Sequence, residues 1–239
     1  MSEREPTILF EDNHLLAVVK PAGLLVQGDS TGDPTLLTAC KAYLKEKYRK
    51  PGNVYLGLVH RLDRPVSGVV LLARTSKAAS RLSAQFRGLE VRKTYLAMIE
   101  GGPRAPRDTL THHLAGRADA QGCTRCEDSP FADSREARLS YRTLAGDARR
   151  SLVLVEPATG RRHQIRAQFA AIGSPIAGDV KYGAAVRLPD HSIALHAWQL
   201  ECAHPVGGAP LVLSAPPPEG DPWPADLAAI LAALPGPRP

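Results

Sequence analysis

His60-Arg61-Leu62-Asp63-Arg64-Pro65-Val66-Ser67-Gly68 runs directly into Val69-Val70-Leu71-Leu72-Ala73. A single carboxylate stands between two guanidiniums, just before an apolar run with the length and branching of a buried strand. Opposite charges this close favour an ionised aspartate. Pro65 and Gly68 punctuate the approach, which fixes Asp63 on a loop at the strand's start and makes it available as a nucleophile or general base. Taken alone, the pattern fits a loop salt bridge equally well.

Three other blocks decide between these readings. Val19-Lys20-Pro21-Ala22-Gly23-Leu24-Leu25-Val26 precedes the aspartate segment, and Arg92-Lys93-Thr94-Tyr95 follows it. Gly160-Arg161-Arg162-His163-Gln164-Ile165-Arg166 comes later and runs on through Gly173-Ser174-Pro175-Ile176-Ala177-Gly178-Asp179 and Lys181-Tyr182-Gly183. In kind and in order, across roughly residues 15 to 215, the four blocks resemble the RluA-type RNA pseudouridine synthases, which isomerise uridine to its C-glycoside within RNA.

The resemblance implies an α+β fold: a mixed, mainly antiparallel sheet with flanking helices and a central RNA-binding cleft. The lack of a regular strand-helix-strand alternation argues independently against a doubly wound parallel sheet. By resemblance Asp63 is the catalytic carboxylate, Tyr95 packs against the target base and takes part in late proton removal, and Arg166 pairs with Asp63. His60, Arg61, Leu62, Arg64, Lys93, Arg162, His163 and Gln164 become the expected RNA or substrate contacts. The resemblance implies no metal and no cofactor. On pattern alone Tyr95 is equally well a half-buried strand tyrosine, and the arginines near 162 a solvated basic helix.

At 239 residues the chain fits a single catalytic domain spanning 1–239, without a separate N-terminal RNA-binding domain, and with a proline-rich cap at 216–239. Met1-Ser2-Glu3-Arg4-Glu5 is charged, and no run of 18 apolar residues occurs, so neither export nor membrane insertion is expected. The expectation is a cytoplasmic monomer. Four cysteines, at 40, 123, 126 and 202, are too few and scattered for a disulfide framework. Cys123 and Cys126 form a CxxC without a second pair, and a loop role is favoured over a metal.

Net charge is +6, but from Lys41 to Arg107 fifteen Lys or Arg residues face four acids, Glu46, Asp63, Glu90 and Glu100. That bias suits a polyanion such as ribosomal or transfer RNA. Strands are expected at Thr7–Phe10, Leu15–Val19, Tyr55–Val59, Gly68–Ala73, Arg92–Glu100, Thr109–Leu114, Ala137–Leu144, Ser151–Val155 and Ser192–Cys202. Asp33 as N-cap and Pro34 at the first helical position predict a helix ended by Pro51-Gly52. Others are expected from Ser76 to Gly88, after Thr159-Gly160, and from Ala225 to Leu234. Arg162 and Arg166, four apart, are predicted on one face near that third helix's start.

A uridine in structured RNA exposes its glycosidic bond only after leaving the stack, so base flipping precedes chemistry. Two alternatives belong to other classes. One is a non-catalytic RNA-binding or RNA-folding protein using the same basic surface. The other is a retaining glycosidase, which needs a second carboxylate about 5 Å away; none lies in these motifs.

Overall fold

A computed structural model describes residues 5–28, 32–216 and 218–234. The first four residues, Pro217 and 235–239, parts of the expected N-terminus and C-terminal cap, lie outside the described residues. The described elements run β1 (Thr7–Glu11), β2 (Leu15–Lys20), α1 (Leu36–Lys47), β3 (Gly57–Leu58), β4 (Ser67–Ala73), α2 (Ser76–Arg87), β5 (Arg92–Glu100), β6 (Arg107–Ala115), β7 (Cys126–Glu127), β8 (Ser134–Gly146), β9 (Arg150–Pro157), α3 (Gln164–Ala171), a 3-10 turn (Val180–Tyr182), β10 (Leu195–Ala203), β11 (Pro210–Ser214) and α4 (Leu227–Ala232). This is a mixed, mostly antiparallel α+β fold.

The chain divides into two compact units. The first comprises the chain up to Thr94 together with Pro189–Ser192 and Ala197–Ala215. Its strands neighbour one another in the order β1, β2, β4, β10, with β3 also on β4 and β11 on β10. β2 pairs antiparallel with β4, Lys20 lying opposite Gly68. Both strands are apolar at every turn because both faces are covered. Leu15, Ala17, Val69, Leu71 and Ala73 pack with Ala78 and Leu82 of α2, while the intervening Leu16, Val18, Val70 and Leu72 point the other way and are also fully buried. α2 begins where the Thr75 side chain accepts the Ala78 N–H, and the expected stripe of Ala78, Ala79, Leu82 and Phe86 meets this core.

α1 starts later than expected. Thr35, not Asp33, is its N-cap: Thr38 N–H donates to Thr35 Oγ1 and Thr35 N–H to Thr38 Oγ1, both at 3.1 Å. Asp33 instead faces Arg64, 3.1 Å from its guanidinium.

The second unit comprises Tyr95–Leu188, Ile193–His196 and the chain from Pro216 onward. Its strand order is β5, β9, β8, β6, β7, each neighbouring pair antiparallel. Gln168 ties α3 to this sheet, its side-chain amide donating to the carbonyls of Leu110 at 3.1 Å and Ala137 at 3.2 Å. Phe169 stacks at a tilt on Tyr141 and is fully buried. The expected loop around Cys126 contains a short strand, β7, paired with Leu114 of β6; Cys123 and Cys126 are free thiols. Among the described residues no three His, Cys, Asp or Glu side chains group as metal ligands.

Candidate active site

Asp63 sits at the first position of a tight turn, its carbonyl accepting the Val66 N–H at 3.1 Å just ahead of β4. Gly68 explains how the loop enters the strand. Its φ of 121° is open to glycine, and a Cβ there would collide with the backbone of Ala197 on the neighbouring β10.

The loop is braced from below by Lys20, which is fully buried at the end of β2. Its ammonium donates to the carbonyls of Pro21 at 2.9 Å, Leu24 at 2.7 Å and Arg64 at 3.0 Å. Burial draws the Lys20 ammonium down to about 7, while the negative charge of Asp63 works to raise it. Two further bonds complete the docking of one loop on the other: Gly23 N–H to the Arg64 carbonyl at 2.8 Å, and the Arg64 side chain, through Nε, to the Gly23 carbonyl at 3.0 Å. Lys20 stands in the Val19–Val26 block, where a lysine is ordinarily expected to be exposed rather than buried against the aspartate loop. The buried run before it was the available signal.

The expected RNA contacts of this unit divide by environment. Arg61 is exposed, and Arg64 is exposed but engaged with Gly23 and Asp33. Leu62 is a core residue at 7% exposure, which removes its side chain from any RNA contact. His60 stacks on Phe86 with ring centroids 4.9 Å apart, and its Nε2 accepts the Leu71 N–H at 2.9 Å. That bond needs a neutral ring protonated on Nδ1. Burial, with a lesser effect of the Lys93 charge, lowers His60 to about 4. Its place is therefore structural, beneath β4. Lys93 is partly buried, and burial lowers its proton affinity too.

In the second unit the GRRHQIR block forms a pinned loop and then a helix. Gln164 is buried; its Oε1 accepts Thr159 Oγ1 at 2.8 Å and Arg161 N–H at 3.0 Å, and its amide donates to the Arg138 carbonyl at 3.0 Å. Gln164 thus holds the loop rather than reaching outward. His163 takes a left-handed φ of 51° immediately before the helix, and its Nδ1 lies 2.8 Å from the Tyr182 hydroxyl. Because α3 begins at Gln164, Arg162 precedes it and is exposed, whereas Arg166 is 5% exposed. The two do not share a helical face as predicted; the left-handed His163 breaks the spacing.

Arg166 grips Asp179, itself 2% exposed, through Nε to Oδ2 at 2.6 Å and Nη2 to Oδ1 at 2.8 Å. Its guanidinium also lies 4.8 Å from the centre of the Tyr182 ring. Burial raises the Tyr182 hydroxyl, which accepts the Thr124 N–H at 2.7 Å. Thirteen and sixteen positions of chain separate Asp179 and Tyr182 from Arg166, so spacing alone does not reveal these contacts. Tyr95 is partly buried on β5, opposite Val155 of β9.

Human RNA Pseudouridylate Synthase Domain Containing 4 superposes with a TM-score of 0.73 at 23% identity, covering 95% of this chain and 92% of that one. Domain Containing 1 does so at 0.72 and 27%, covering 96% and 89%. The fold is that of a pseudouridine synthase domain. A family model described as RNA pseudouridylate synthase matches residues 14–171, and the chain belongs to that family. Ribosomal large subunit pseudouridine synthase D of Nitrosomonas europaea is 36% identical over 238 residues, which are 95% of this chain and 64% of that protein. The tRNA pseudouridine synthase C of Pectobacterium carotovorum is 35% identical over 229 residues, 87% of this chain and 58% of that one. The chain thus spans about two thirds or less of the length of these two relatives.

Proposed function

We propose that this protein isomerises uridine to pseudouridine in structured RNA, with Asp63 as the catalytic carboxylate. What carries the reading is Asp63 itself: it occupies the HRLDRPVSG segment of a chain in the RNA pseudouridylate synthase family, on a loop held by a buried lysine. The reaction breaks the bond from ribose C1′ to uracil N1, forms one from C1′ to C5, moves the C5 proton away and returns a proton to N1. No atom is gained or lost, so no oxidant, reductant or cofactor is needed. A carboxylate serves as nucleophile or as base on the sugar, and Asp63 is suited to either. Arg166 orients it, and Tyr95 packs on the flipped base. Arg61, Lys93, Arg162 and His163 contact the RNA.

Names of relatives point to large-subunit ribosomal RNA or transfer RNA as the substrate class. In this reading the protein acts as a cytoplasmic monomer. Among the described residues no helix is long and apolar enough to cross a membrane. Pseudouridine mapping by carbodiimide-stop sequencing of total RNA tests the proposal, using cells lacking the gene and complemented by wild type or Asp63→Asn. Loss of a discrete site, restored only by wild type, is the expected outcome. An unchanged map sinks the enzymatic reading in favour of a non-catalytic RNA-binding protein.

A further inference from the structure

α1 flanks a groove of about 360 Å³ lined by Lys41, Ala42 and Lys45 from the helix and by Gly52, Asn53 and Val54 from the segment after it. Among the described residues no carboxylate lines this groove. A second groove against α1, about 580 Å³, mixes Glu5 and Glu46 with Lys47, and Lys47 is bound to Glu11 at 2.8 Å. The two sides of one helix therefore differ in charge. Lys41 and Lys45 lie four apart, so their ammonium groups are neighbours, and like charges at that spacing weaken a helix. Among the described residues neither makes a salt bridge that would offset the repulsion.

The end of the same helix supplies an independent observation. Arg49 N–H donates to the Glu46 carbonyl at 3.1 Å and Lys50 N–H to the Lys45 carbonyl at 3.0 Å, the two bonds of a Schellman turn. Its left-handed position, φ 48°, holds Arg49. Glycine takes that conformation without cost and an L side chain does not. A strained backbone thus presents a further exposed cation at the end of the groove's helix, next to the exposed Lys50.

We propose that the Lys41–Lys45 groove, extended by Arg49 and Lys50, is a second contact surface for the phosphodiester backbone of the RNA. It rests on the proposed RNA function and fixes where the strand flanking the target runs. α1 begins beside the aspartate loop, through the Arg64–Asp33 pair and the Leu36 N–H to Leu25 carbonyl bond of 2.8 Å. At 1.5 Å per residue, Lys41 and Lys45 lie about 9 and 15 Å farther along the helix axis than Thr35. That reach corresponds to a few nucleotides, and the rise of about 6 Å between the two lysines suits neighbouring phosphates.

The test is binding of a labelled RNA stem-loop by anisotropy across a KCl series, comparing wild type, K41Q/K45Q and a control that removes two exposed cations from α2, K77Q/R87Q. Because backbone contacts ignore sequence, any stem-loop long enough to span the surface reports them. K41Q/K45Q is expected to make the slope of log affinity against log salt less negative by about 1.4 to 1.8, two phosphate contacts' worth. An unchanged slope, or an equal change in the control, overturns the proposal. Arg49→Gly is expected to raise the melting temperature, by relieving the left-handed backbone, while lowering RNA affinity; a purely structural arginine would leave affinity unmoved. A wild-type protein that binds no RNA at all would instead refute the function on which the surface depends.

Discussion

The ammonium of Lys20 donates to the carbonyl oxygen of Arg64 at 3.0 Å, joining residues 44 positions apart next to the candidate catalytic aspartate. Burial sets this lysine at about 7 in the folded protein, against an ordinary value of 10.5. Between those limits the unfolded chain binds the extra proton, so this group makes stability rise with pH across the window. The unfolding free energy of wild type relative to Lys20→Met is therefore expected to rise from pH 7 to 10, by up to about 1.4 kcal/mol per pH unit. Urea titrations at several pH values measure it, and a constant difference would disprove the assignment.

Asp63→Asn is nearly isosteric and keeps the turn, whose hydrogen bond uses only the main-chain carbonyl of residue 63. Isomerisation is expected to fall below detection, while RNA affinity, measured by filter binding, stays within a few-fold of wild type. Retained turnover would remove Asp63 from the chemistry.

Gly68→Ala puts a methyl group into the Ala197 backbone at a φ of 121°. The expected loss is about 3 kcal/mol or more, seen as poor soluble yield or a large drop in melting temperature. A variant as stable as wild type would mean that β4 and β10 are not packed as described.

Asp179→Asn leaves the Arg166 guanidinium buried against a neutral amide. Breaking a buried pair in this way costs about 3 to 5 kcal/mol. Replacing both residues by apolar ones, Arg166→Met with Asp179→Leu, is expected to recover much of that stability without recovering activity. Recovery of both would reduce Arg166 to a packing residue.

His60 is lowered to about 4 from an ordinary value of 6.5 by burial. Below pH 6.5 the unfolded chain takes up the proton first, so stability is lost as pH falls toward 4. In His60→Phe, which cannot titrate, equilibrium unfolding between pH 7 and 4 is expected to show a shallower acid decline than wild type. Parallel declines would show that His60 is not held neutral.

The regular elements were legible where one force dominates. β5 matches its predicted span, Arg92–Glu100, around the continuous apolar run Leu96–Ile99, which is buried on both faces, and α2 starts at Ser76 as expected because Thr75 caps it. Local chemistry misled where a distant partner intervened. Asp33 looked like a cap, but Arg64 takes it, and the cap passes to Thr35. Short strands such as β7 and β11 carry little periodicity, and β3 retains two of the five residues expected at Tyr55–Val59. At the candidate site the motifs stand in the sequence, but the Lys20 brace and the Asp179 and Tyr182 contacts do not. Those depend on chain reversals that no spacing rule encodes.

The acceptors in the brace beneath Asp63 are all main-chain carbonyls: the Lys20 ammonium meets three, the Gly23 N–H meets that of Arg64, and the Arg64 side chain meets that of Gly23 through Nε. Every peptide offers the same acceptors whatever side chain it bears. Side chains at Ala22, Leu24 and Arg61 can therefore be exchanged while the carboxylate keeps its place, which makes these loops a natural site for retuning RNA preference in a library that leaves Lys20, Asp63, Arg64 and Gly68 untouched.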